Sequence, residues 1–121
     1  MPETDVLLFA EEDGSAPLLA WLDDLPPKVR DKCIVRIERL AQLGHELRRP
    51  EADLLRDGIH ELRVRHQGVH YRMLYFFHER RAVVTHGLMK EDRVPESDID
   101  LALRRKAAFT EAPQQHTHKE E

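Results

Sequence analysis

No stretch of this 121-residue chain approaches the roughly 18 consecutive apolar residues that a membrane-spanning helix requires, so a bilayer is not an expected partner. The opening MPETDVLLFAEEDG lacks both the basic flank and the cleavage pattern of a secretory signal, and a cytoplasmic protein is expected. Cysteine occurs once, as Cys33, so no internal disulfide can form. Its place in an apolar helical stripe, with no activating neighbour at a motif spacing, reads as a small core residue and not a nucleophile. Metal ligands are scarce too. His116 and His118 lie close together near the chain end, but two histidines supply too few ligands, and no metal, small-molecule or other cofactor is expected. Bases are missing altogether from residues 1 to 25, which carry seven acids: Glu3, Asp5, Glu11, Glu12, Asp13, Asp23 and Asp24.

The middle of the chain reverses that deficit. Residues 56 to 90 hold seven bases (Arg56, Arg63, Arg65, Arg72, Arg80, Arg81, Lys90) against three acids (Asp57, Glu61, Glu79), a local balance of +4. Five histidines, His60, His66, His70, His78 and His86, share the segment. The net charge of −4 therefore conceals a basic centre with acidic ends, which suits contact with phosphates at one place and not a general coating of nucleic acid. With 40% hydrophobic and 35% charged residues the chain is long enough for one core and too short for two. One domain is expected over residues 1–109, followed by a disordered polar tail at 110–121 that has no apolar period.

Periodicity supplies the elements. Val6 to Phe9 reads as a short strand. Ser15 can cap a helix in which Pro17 sits in the first turn and Leu18, Trp21, Leu22 and Leu25 recur at helical spacing. Pro26-Pro27 ends it and begins another, with Val29, Cys33, Ile37, Leu40 and Ala41 as its buried stripe, Lys28, Arg30, Lys32, Arg36 and Arg39 off it, and Gly44 past its end. Residues 45 to 58 read as a loop with a short helical turn around Ala52 to Leu55. Strands follow at Ile59 to Arg65, Val69 to His78 and Ala82 to Lys90, and a last helix runs from after Pro95 to about Phe109. The order is that of an α+β fold: an antiparallel sheet of about four strands, an N-terminal helical hairpin packed on one face, and a C-terminal helix.

The stretch ELRVRHQGVHYRMLYFF, from Glu61 to Phe77, carries most of the information. Two alternating runs flank Gln67-Gly68, a usable hairpin turn. A two-residue loop there sets Arg65 against His70, Val64 against Tyr71, Arg63 against Arg72 and Leu62 against Met73. Apolar side chains then take one face, and Arg63, Arg65, His70 and Arg72 the other. Arginines on an open sheet face are often merely solubilising. Arg63 facing Arg72 nevertheless costs roughly 0.2–1 kcal/mol, which Glu61, an acidic partner or a bound polyanion would offset.

In order and spacing, LRDGIHELRVR at 55–65, YRMLYF at 71–76, HGLMK at 86–90 and the run from Pro95 through Ala102, Leu103, Arg104 and Arg105 resemble the HigB-like branch of the RelE/ParE superfamily of toxins from type II toxin–antitoxin modules. The resemblance spans roughly residues 5 to 109. It implies a RelE-like fold, a cognate helix-turn-helix antitoxin and, for the RelE and HigB types, metal-free cleavage of mRNA on the ribosome. The ParE type shares the fold but inhibits DNA gyrase.

Cleavage of this kind needs a group to take the proton of an attacking ribose 2′-OH, cations to hold the charge that develops on the phosphate, and an acid for the leaving 5′-oxygen. Arg72 matches the arginine of the family's Y-R motif and is assigned to charge stabilisation, for which its planar fork is suited. Arg63 and Arg65 beside it would hold the substrate backbone. Lys90 matches the family's base at the end of the last strand. A three-residue loop at Glu79-Arg80-Arg81 would bring it opposite His70, whereas a two-residue loop would turn it away. His70 and His86 are the proton-transfer candidates because imidazole titrates near neutral pH. Where relatives carry a K-K-T type run, this chain has Lys90-Glu91-Asp92-Arg93. Arg93 can replace a missing base, and Glu91 or Asp92 is a further possible proton acceptor. Three readings are open: a ribosome-dependent mRNA endonuclease, a gyrase-directed toxin without nuclease activity, and a non-catalytic module whose cationic face docks an acidic antitoxin segment.

Overall fold

The computed structural model describes residues 3–90 and 92–119. Its elements are β1 (Asp5–Leu8), α1 (Pro17–Asp23), α2 (Pro27–Leu43), a 3-10 turn (Gly44–Glu46), β2 (Ala52–Arg56), β3 (Ile59–His66), β4 (Val69–His78), β5 (Arg81–Met89) and α3 (Glu96–Glu111). The sheet has five strands in the order β1-β5-β4-β3-β2. It is mixed: β1 runs parallel to β5, and the other pairs are antiparallel. The expected antiparallel sheet of about four strands is corrected on both counts. The fifth strand is β2, in a segment whose sequence predicts a loop with a helical turn. Its ADLLR has no strict alternation, and it is a strand because β3 offers an edge to pair with, Ala52 against Leu62 and Leu54 against His60.

Helices cover both faces. On one, α1 and α2 bury Leu18, Leu22, Val29, Cys33 and Leu40 against Leu62, Val64, Tyr71, Met73, Tyr75 and Val84. On the other, α3 buries Ile99, Ala102 and Phe109 against Ile59, Leu74, Phe76 and Val83. Alternation along β3 and β4 dictates this, because successive side chains leave the sheet in opposite directions. Cys33 lies in the first core, fully buried, and burial pushes its thiol up to about 11. Ser15 does not cap α1. Its amide and hydroxyl both donate to Asp13 Oδ1, and Ala16 occupies the N-cap.

The tail departs from expected disorder. Thr110 and Glu111 extend α3, His118 N–H donates to Leu8 O, and His116 is buried with its ring stacked 5.1 Å from Phe9 and its Nδ1 2.8 Å from Ala10 O. A polar sequence is held here by the unpaired edge of β1 and by one aromatic surface, neither of which an apolar period reports.

Gly87 of the HGLMK motif has a packing reason. It faces α1, and a Cβ there would collide with the six-membered ring of Trp21. Gly87→Ala is therefore expected to destabilise the protein by about 1–3 kcal/mol through overpacking, read as a lowered midpoint in urea. An unchanged midpoint would show that Trp21 is free to move aside.

Candidate functional site

The β3–β4 hairpin has the register that its sequence dictates: His66 faces Val69, Arg65 faces His70, Val64 faces Tyr71, Arg63 faces Arg72 and Leu62 faces Met73. Gln67 and Gly68 make the turn with φ of 50° and 80°, the left-handed pair that a two-residue hairpin loop needs. The β4–β5 loop has two residues, not three, since His78 pairs with Arg81. Lys90 still reaches the cationic face. An irregularity in the pairing lets β5 gain one residue: Tyr75 pairs with Val84 and Leu74 with His86, leaving Thr85 as the extra residue. The bulge undoes the one-residue shift imposed by the loop, and Lys90 N–H donates to His70 O at 3.1 Å. Val69, His70, Met89, Lys90 and Asp92 line a cavity of about 420 Å³ at this end of the sheet, with Arg65 across from His70. Arg65 and Lys90 are exposed, and His70 is half-buried.

Arg63 and Arg72 lie on the same face, one step further in, and there the like-charge cost has an internal answer. Glu61, 2% exposed, sits between them, with Oε2 3.4 Å from an Arg63 amino group and Oε1 3.4 Å from Arg72 Nη1. The second contact is an ion pair without hydrogen-bond geometry, so Glu61 Oε1 and the Nε atoms of both arginines are buried without a directional partner. Arg63 also meets Asp53 at 3.2 Å, and Asp53 is bound by Arg49, whose hydrogen bond is the first cause holding its carboxyl below the usual range. The Arg63–Arg72 pairing thus requires no polyanion. Arg63 is a member of a structural ion network, and Arg72, with 11% of its side chain exposed, is a largely buried guanidinium two residues along β4 from His70. Glu61 was legible as a possible offset; Asp53 and Arg49 were not, because only the pairing of β2 brings them across.

His86 is not brought to the opening. It is 7% exposed under the first turn of α3, with Nε2 3.2 Å from Asp98 Oδ1 and Nδ1 2.9 Å from Thr85 Oγ1. With both ring nitrogens engaged, it braces β5 against α3 and is not placed to exchange protons with a substrate. The nearby Asp98 would favour an imidazolium, but burial is the larger influence and pushes the imidazole below its ordinary value. His60, stacked 5.0 Å from Tyr75 on the opposite face, is also pushed down, first by burial and then by His45. Neither stacking nor His45, 3.6 Å from Phe77, could be read from strand alternation. Arg93 and Asp92 are exposed on the loop before α3, and Glu91 lies outside the described residues.

Two depressed imidazoles make stability depend on pH with a definite sign. The unfolded chain binds protons at these groups more readily than the folded one, so their contribution is whole above the ordinary value of about 6.5 and is lost as pH falls through the lower folded values. The melting temperature is expected to fall between pH 7.5 and pH 5, and His60→Phe to flatten the slope. Melts that stay level or rise on acidification would contradict the assignment.

Residues 20–107 match the family described as Phage derived protein Gp49-like (DUF891). No curated protein matches the chain. Among the described residues, no helix is long and apolar enough to cross a membrane.

Proposed function

Because the chain belongs to the Gp49-like family, a RelE/Gp49-type toxin family of toxin–antitoxin modules with an antitoxin as the implied partner, we propose that it is a HigB-like toxin that cuts mRNA on the ribosome without a metal. The observation that carries this reading is the register, which sets Arg65, His70 and Lys90 side by side across β3, β4 and the end of β5 beside an open cavity, with Arg72 two residues along β4 from His70. In the reaction, the 2′-oxygen forms a bond to the adjacent phosphorus while the bond to the 5′-oxygen breaks. The 2′-proton passes to a base and another is delivered to the departing 5′-oxygen. His70 is the proposed proton carrier. Lys90 and Arg72 hold the charge gathering on the phosphate oxygens, and Arg65 and Arg93 hold the flanking backbone. Asp92 at the same cavity lowers affinity for phosphate, which favours a substrate presented in place by a larger body over naked RNA.

Primer extension on message from induced cells tests the reading. New 5′-ends within translated frames are expected, and their absence from untranslated or naked RNA. An intact message pool with DNA-damage signalling would instead favour a gyrase-directed toxin, and an intact pool without it a non-catalytic module.

A further inference from the structure

A second surface meets the cationic rim from behind. Asp31, Lys32, Val35 and Arg36 of α2 and Val64 and Arg65 of β3 line a groove of about 340 Å³. It is open because the pairing of β2 ends at Ala52 opposite Leu62, so past Arg63 no strand flanks β3 on its outer side among the described residues. Positions 31 and 35, and 32 and 36, are one helical turn apart and form two parallel rows along the groove. Val35 is 55% exposed and Ile34 beside it 43%, an unusual pair of β-branched side chains to leave in water on a helix that carries five bases between Lys28 and Arg39. Three bases against one acid line the groove on a chain whose net charge is −4. Lys32 Nζ reaches Arg65 O at 3.4 Å, so the groove ends on the strand that supplies Arg65 to the rim.

We infer that this groove is the docking site of an acidic amphipathic segment of the antitoxin, and that its occupation withdraws Arg65 from the substrate. An aliphatic side chain of the segment packs between Val35 and Val64, and its carboxylates meet Lys32, Arg36 and Arg65. Arg36 can serve because its existing pair with Glu51, at 3.5 Å, is partly exposed and Glu51 keeps its stronger partner Arg39 at 3.0 Å. Neutralisation is then coupled to catalysis through one residue that both surfaces share. The inference rests on the toxin reading for the identity of the partner, but its test does not read RNA cleavage alone.

Val35→Glu and Lys32→Glu place carboxylates in the groove at exposed positions, outside the residues assigned to the reaction. Calorimetric titration with the antitoxin purified from its own operon is expected to show affinity at least 10-fold weaker for each variant, while Leu54→Glu, at an exposed apolar position on β2, binds as the parent does. Both groove variants retain the parent's melting temperature, so that a loss of affinity is not a loss of fold. Parent-like affinity in both variants overturns the inference. So does a concentration-dependent dimer of the parent that Val35→Glu abolishes, since the occupant would then be a second copy. Weakened affinity with message left intact would support the groove and refute only the nuclease reading.

Discussion

Replacing Glu61 by alanine is expected to cost about 3–5 kcal/mol, the largest stability loss of any single exchange on the cationic face. The carboxylate is 2% exposed and lies between two guanidiniums, of which Arg72 has only 11% of its side chain in solvent. Truncation removes the counter-charge from the inner side of Arg72, of which only the outer edge meets solvent, and a largely buried unpaired cation is far more costly than the missing pair was beneficial. For a chain of this length the melting temperature should fall on the order of 10 °C or more. Changing Glu61→Leu together with Arg72→Met should recover much of the loss, because an apolar pair of similar volume needs no charge balance. A melting temperature within a few degrees of the parent in Glu61→Ala would mean that water reaches the network, and the account of a sealed carboxylate would fail. The same pair limits the part proposed for Arg72: with Glu61 against its inner side, a phosphate would reach only its outer edge.

His70→Ala should leave stability nearly unchanged and reduce cleavage by about 10²–10⁴-fold, the usual worth of a positioned proton-transfer group. The side chain is half-buried at the mouth of the cavity and makes no side-chain hydrogen bond among the described residues, while its main-chain carbonyl accepts from Lys90 N–H. Loss of the ring therefore removes chemistry and not packing. The measurement is single-turnover cleavage of message on stalled ribosomes, with His86→Gln in parallel. His86 is committed to Asp98 and Thr85, so its replacement should lower the melting temperature and spare the rate constant of whatever folded protein remains. Full activity in His70→Ala would remove the imidazole from the mechanism and leave the cations alone to account for it.

How far the site could be read from residues varies along the hairpin. The pairing of Arg65 with His70 follows from two alternating runs about Gln67-Gly68, because a slip of one residue would turn every apolar side chain into water. Lys90 came to the right face by a different route from the one expected. A two-residue loop and the extra residue at Thr85 cancel, and a bulge leaves no mark in hydrophobic alternation when the strand is buried on both faces, as Val83, Val84, Thr85 and His86 are. His86 looked like a proton carrier because its type and its motif permit that; only the arrival of Asp98 on α3 determines that both of its nitrogens are occupied.

Local interactions were enough for the helices of the N-terminal pair, the hairpin register and the division of β3 and β4 into an apolar and a cationic face, since each depends on residues within a few positions of one another. Long-range contacts decided the rest. The strand β2 exists because β3 has an edge to fill, the tail is held by the edge of β1, and the balance of two facing arginines rests on Glu61 and Asp53. The physical reason is the same each time: alternation and helical spacing report which side of an element is apolar, whereas hydrogen-bond partners and counter-charges come from whichever element packs alongside.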